Sequence, residues 1–253
     1  ARVPDESATR LRWDAESSTV RTTLVPPSDP TADGTMRVSV SGWAFGPVPP
    51  LQVVWTPEAG GERQTIRPFQ DRDTERVEVS TPAGGLVGKK YAVSGAVTVQ
   101  TVQTDHGAIR LVTPDAVSPR ASQTELRRAL GTAAREFDDG GTMGADVVFV
   151  VPAVRRGGAT FLRVDETWVA ADTRLHTANS VWFHEYVHSR QEFELGPRMR
   201  WFEEASAEYF AARLTAETGY ATAVEQELYW LGRTRSESQL TQPSTWGDSA
   251  VPY

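Results

Sequence analysis

A chain of 253 residues with 39% apolar and 23% charged residues has the composition of a soluble globular protein, long enough for one large domain or two modest ones. Its 33 acidic residues against 26 basic ones give a net charge of −7, which argues against nucleic acid as a partner, because phosphate binding calls for a basic face. There is no cysteine, so any metal must be held by histidine and carboxylate, and no apolar run reaches the roughly eighteen residues of a membrane span.

Two textures divide the chain. Residues 1–115 are rich in Thr, Val, Ser, Pro and Gly. Short alternating runs at 19–25, 36–43, 52–56, 76–80, 91–103 and 109–113 predict strands, separated by turn signals such as Pro26-Pro27, Asp33-Gly34, Pro49-Pro50 and Gly84-Gly85. That spacing predicts a β-sandwich-like N-terminal domain over 1–115. His106, between Asp105 and Gly107, reads as a turn residue without chemistry.

Residues 114–119 read as a hinge into a second domain, 116–253, of α+β character. Ser122 and Glu125 have the spacing of a capping box, and Leu126, Leu130, Ala133, Ala134 and Phe137 continue as the apolar stripe of a helix. Residues 146–152 read as a buried strand. Two more are expected at 160–164 and 167–170, joined by a tight turn at Asp165-Glu166. Further helices are expected over 176–193, 200–217 and 221–232, with Gly196-Pro197 and Gly219 as stops for the first two.

The first of these helices contains His184-Glu185-Tyr186-Val187-His188, an HExxH pattern. Residues four apart on a helix project from one face, so both imidazoles can reach one ion. The glutamate directly after the first His points beside that ion, where it can take a proton from a water that zinc has acidified. A helical His pair also arises by chance or as a structural pair. The next helix adds weight: Glu204 follows His188 by sixteen residues, and an antiparallel return would place its carboxylate beside the histidines as a third ligand. Glu208, four residues further on, lies on the same face and can orient the His184 ring. Glu203 is offset by about 100° and reads as solvated.

HEYVH followed by WFEEASAEYF resembles the gluzincin branch of the HExxH metallopeptidases, and more closely the peptidase MA-like group related to aminopeptidase N and the glycyl aminopeptidases. The likeness covers roughly residues 90–253. It implies a thermolysin-like zincin domain in which His184, His188 and Glu204 hold Zn2+ and Glu185 is the general base. The closing segment Ser249-Ala250-Val251-Pro252-Tyr253 is similar to one that supplies an oxyanion-stabilising tyrosine, which implies that role for Tyr253; a frayed end is the alternative. Relatives continue past this tyrosine, so the resemblance implies a catalytic domain incomplete at its C-terminus. Ala205 replaces the usual Gly of the glutamate motif, and no acidic anchor for a free amino terminus follows Gly157-Gly158-Ala159-Thr160.

The expected activity is zinc-dependent hydrolysis of a peptide or protein substrate, lying along an edge strand at 161–164 or 168–170. The alternatives are a binding or structural protein on the same scaffold, or a zinc hydrolase of a non-peptide bond. The chain begins at Ala1 without Met, as a removed signal peptide or a trimmed tag would each leave it. An extracellular or cell-surface location is expected, with the cytoplasm as the alternative.

Overall fold

The computed structural model describes residues 10–14, 19–23, 38–40, 42–48, 53–55, 64–66, 84–105, 107–136, 146–152, 157–161, 166–191, 193, 195–196 and 199–233. They fall into two compact units, residues 1–96 and 97–253. The described residues form a mixed α/β protein with four helices.

In the first unit, alternating strands assemble an antiparallel sheet of order β3 (Val38–Val40), β4 (Trp43–Pro47), β8 (Tyr91–Gly95), β7 (Gly85–Val87). Trp43, Phe45, Tyr91 and Val93 share its buried face, with the Phe45 and Tyr91 rings stacked at 5.0 Å. Two antiparallel pairs complete the described strands: β1 (Arg10–Asp14) with β2 (Thr19–Thr23), and β5 (Val53–Trp55) with β6 (Gln64–Ile66). The strand expected over 36–43 is instead split by a turn at Gly42, whose φ is 92°. The strand expected at 76–80 and His106 lie outside the described residues.

The run expected as one strand over 91–103 also breaks, at Gly95. Its φ of 119° is left-handed backbone, and a Cβ there would stand 2.6 Å from the Gly42 carbonyl oxygen. Beyond that break the chain enters the second unit as β9 (Val97–Thr104). The units therefore meet ahead of the 114–119 segment, and β9 and β10 (Gly107–Pro114) join the sheet of the second unit. The cause is non-local: β10 pairs in parallel with β11 (Asp146–Val151), burying Ile109, Leu111 and Val112.

That sheet has the order β12 (Gly158–Phe161), β13 (Glu166–Ala170), β11, β10, β9. The β10–β11 and β11–β13 pairs are parallel and the outer pairs antiparallel. Every residue of β13 is buried, as is Val147–Val151 of β11, which suits interior strands. The strand expected at 167–170 is thus internal and cannot be a substrate-pairing edge. The edge on that side of the sheet is β12, which starts earlier than expected; residues 162–165 lie outside the described set.

Helix α1 (Gln123–Glu136) connects β10 to β11 and opens with the expected capping box. Ser122 Oγ accepts from the Glu125 amide at 3.2 Å, while the Ser122 amide donates to Glu125 Oε2 at 3.0 Å. Leu126, Ala129, Leu130 and Ala133 form its buried face. Helix α2 (Val181–Ser189) packs on β12, β13 and α3 (Arg200–Glu217), and α4 (Ala223–Arg233) follows.

The helix expected over 176–193 is cut at both ends. Ser180 is the extended N-cap (φ −75°, ψ 123°), and its carbonyl accepts from the Phe183 and His184 amides. The residues before it serve tertiary contacts instead of a helix: Gln226 Nε2 donates to the Ala178 carbonyl at 2.6 Å, and Asn179 reaches α3 and α4. The described part of the chain contains no helix long and apolar enough to cross a membrane.

Candidate metal and catalytic site

Helix α2 buries Trp182, Phe183, Tyr186 and Val187, which leaves His184 and His188 one turn apart on the side toward α3. Their rings stand 4.7 Å apart at 79°. Glu204 projects from the first turns of α3. His184 Nε2 and His188 Nε2 are 3.0 Å apart, and each lies 3.4 Å from Glu204 Oε2. Three ligand atoms on a tetrahedral ion with bonds of about 2.0–2.1 Å would be separated by roughly 3.3 Å. The triangle in the structure matches that spacing, and the His₂Glu donor set is one that zinc accepts at catalytic centres.

The electrostatics favour a cation here. Burial alone would lower the pKa of His184, but hydrogen bonding to Glu204 and Glu208 outweighs it and raises the value to about 9. Hydrogen bonding from His184, with the His188 imidazole beside it, holds the Glu204 carboxyl well below the usual carboxylate range. In the metal-free protein one positive charge therefore resides on His184, between carboxylates.

Each imidazole is backed on its far side. Glu208 Oε2 lies 3.4 Å from His184 Nδ1, on a buried side chain that also accepts from Asn179 Nδ2. Asn179 Nδ2 in turn stands 3.1 Å from the Tyr229 hydroxyl of α4. His188 Nδ1 lies 2.7 Å from Gln191 Oε1, just past the end of α2.

Glu185 is buried between α2 and the edge strand. Thr160 Oγ1 stands 2.7 Å from Glu185 Oε2 and 2.9 Å from Thr167 Oγ1 on β13. Gly158 leaves room for this carboxylate: a Cβ there would meet Glu185 Cγ at 2.7 Å and Oε1 at 2.8 Å.

Of the residues singled out from sequence, the structure brings together His184, His188, Glu204 and Glu208, with Glu185 beside them on α2. Tyr253 lies outside the described residues. Gln191, Thr160 and Asn179 were missed. Each is a single polar residue in a loop or at a sheet edge, where no periodic pattern marks it.

No family model matches the sequence, and no curated protein does. Solved structures do match. The M1 zinc metallopeptidase from Deinococcus radiodurans is 14% identical, with a TM-score of 0.51 over 92% of this chain and 61% of that one. Aminopeptidase A from Legionella pneumophila is 15% identical (TM-score 0.47) over 64% of this chain and 22% of that one. An aminopeptidase N family protein from Idiomarina loihiensis is 18% identical (TM-score 0.37) over 51% and 27%. The chain spans less than two thirds of the length of each of these proteins. The Deinococcus likeness extends over most of this chain and is one of fold: the scaffold is similar to that of a zinc metallopeptidase.

Proposed function

We propose that the protein is a zinc-dependent metallopeptidase in which His184, His188 and Glu204 hold the metal and Glu185 is the general base. The observation that carries this reading is the triangle of His184 Nε2, His188 Nε2 and Glu204 Oε2, with sides of 3.0, 3.4 and 3.4 Å. When bound, zinc would supply a Lewis acid that acidifies water and polarises a carbonyl.

The chain's own residues account for the rest. The Glu185 carboxylate, steadied at Oε2 by Thr160, accepts the proton of the attacking water as its oxygen bonds to the scissile carbonyl carbon. Glu185 then hands that proton to the amide nitrogen as the carbon–nitrogen bond breaks, releasing an amine. Burial of Glu185 keeps bulk water from competing for its charge. The substrate backbone would run along β12, the edge strand on the α2 side of the sheet, beside Glu185. Tyr253 is proposed to donate to the developing oxyanion.

Elemental analysis combined with chelation tests the reading. The purified protein is expected to hold one zinc per chain, to lose hydrolysis of an unstructured protein substrate on chelation and to regain it with zinc. Hydrolysis that survives complete removal of metal contradicts the proposal.

A further inference from the structure

We infer that Gln191 is a positioning residue whose one amide fixes the tautomer of His188 and the first turns of α3 that carry Glu204; the inference rests on the metal-holding reading of this site. Gln191 is buried, three residues past His188, and both polar atoms of its side chain are engaged. Its Nε2 donates to the Glu203 carbonyl oxygen at 2.7 Å and to Ser206 Oγ at 2.8 Å.

The orientation of the amide follows from what its partners can do. A backbone carbonyl only accepts, so the atom facing Glu203 must be the NH₂. Ser206 Oγ spends its own proton on the preceding turn, at the Phe202 carbonyl 2.6 Å away, and so presents a lone pair to the second amide hydrogen. Both amide hydrogens are consumed at the α3 end. Oε1 is left facing His188 Nδ1 at 2.7 Å, and since Oε1 only accepts, Nδ1 must carry the proton.

A neutral imidazole has one N–H. His188 Nε2 is therefore bare and free to accept from the protonated His184 Nε2, 3.0 Å away, or to ligate a metal. The other tautomer would set two acceptors, His188 Nδ1 and Gln191 Oε1, against each other between two buried side chains. The same amide anchors the backbone of Glu203, the residue directly before Glu204. One side chain thus orients a ligand on α2 and holds the helix that supplies the ligand on α3. Outer contacts of this kind commonly govern metal affinity by about 10- to 100-fold.

Two measurements test it. Long-range nitrogen–proton correlation NMR on the metal-free 253-residue chain, labelled at histidine, is expected to show His188 with a protonated Nδ1. An Nδ1 without a proton contradicts the inference, and this needs no variant. Zinc titration against a chromophoric chelator is expected to show Gln191→Leu binding about 10- to 100-fold more weakly than the wild type. Unchanged affinity in that variant overturns the inference. A wild type that binds no zinc overturns the metal reading instead, while the NMR result still judges Gln191.

Discussion

Glu185 Oε2 lies 2.7 Å from the hydroxyl oxygen of Thr160, so the carboxylate beside the two histidines is tied to the edge strand β12 as well as to its own helix. Gly158, two residues earlier on that strand, leaves the space that the side chain fills. A general base is effective only when held within hydrogen-bond reach of the proton it takes.

Replacing Thr160 by Val keeps the shape and removes the hydroxyl. It is expected to lower kcat for peptide hydrolysis about tenfold, the worth of one hydrogen bond to a charged group, with zinc affinity unchanged. Thr160→Ser should restore most of the rate. Gly158→Ala displaces the Glu185 side chain directly and is expected to cost about 100-fold. Steady-state kinetics on zinc-loaded protein check all three, and a Thr160→Val enzyme with wild-type kcat contradicts the role given to that hydroxyl.

Glu208 faces His184 Nδ1 from α3, and Glu208→Gln keeps the size while removing the charge. Zinc affinity is expected to fall about 10- to 100-fold, read by competition with a chelator. Glu217→Gln serves as control, since Glu217 pairs with Arg213 on the exposed side of the same helix. Equal affinity in the Glu208 variant and the control returns Glu208 to a purely structural role.

The His184 pKa, raised from its ordinary 6.5 to about 9, makes metal and proton competitors. Zinc must displace that proton, so apparent affinity is expected to rise about tenfold per pH unit from near neutrality and to level off near pH 9. For the metal-free protein the sign is opposite. A raised folded-state pKa gives stability that is fully present below about 6.5 and lost as pH rises through about 9. The depressed Glu204 value gives stability present above its ordinary 4.5 and lost only as pH falls through its low folded value. Chemical denaturation of metal-free protein across about pH 6 to 9 is expected to show declining stability, and a flat or rising profile contradicts this assignment of charge.

What was legible in the sequence was local. The Ser122–Glu125 cap depends on the geometry of residues only three positions apart, and it forms as the spacing implies. His184, His188 and Glu204 were readable because helical periodicity converts spacing into direction and one reversal brings two helices alongside each other. Helix α2 was overextended because residues 176–180 are drawn out of helix by distant partners, such as Asn179 reaching Glu208 and Tyr229. Strand order carries no local signature either, which is why 168–170 could be mistaken for an edge. Gln191 illustrates the limit most clearly: its role exists only once Glu203 and Ser206 have been carried back to it by α3.

The central claim is that Glu185 makes this site a peptidase and not only a metal holder. A carboxylate one residue after a ligating histidine is not needed to bind zinc, so Glu185→Gln separates the two functions. The direct measurement is cleavage of a broad unstructured peptide library by wild type and Glu185→Gln at equal, verified zinc occupancy. The account predicts cleavage by the wild type and a loss of at least about 100-fold in the variant. Equal cleavage by both, or none by the zinc-loaded wild type, contradicts it.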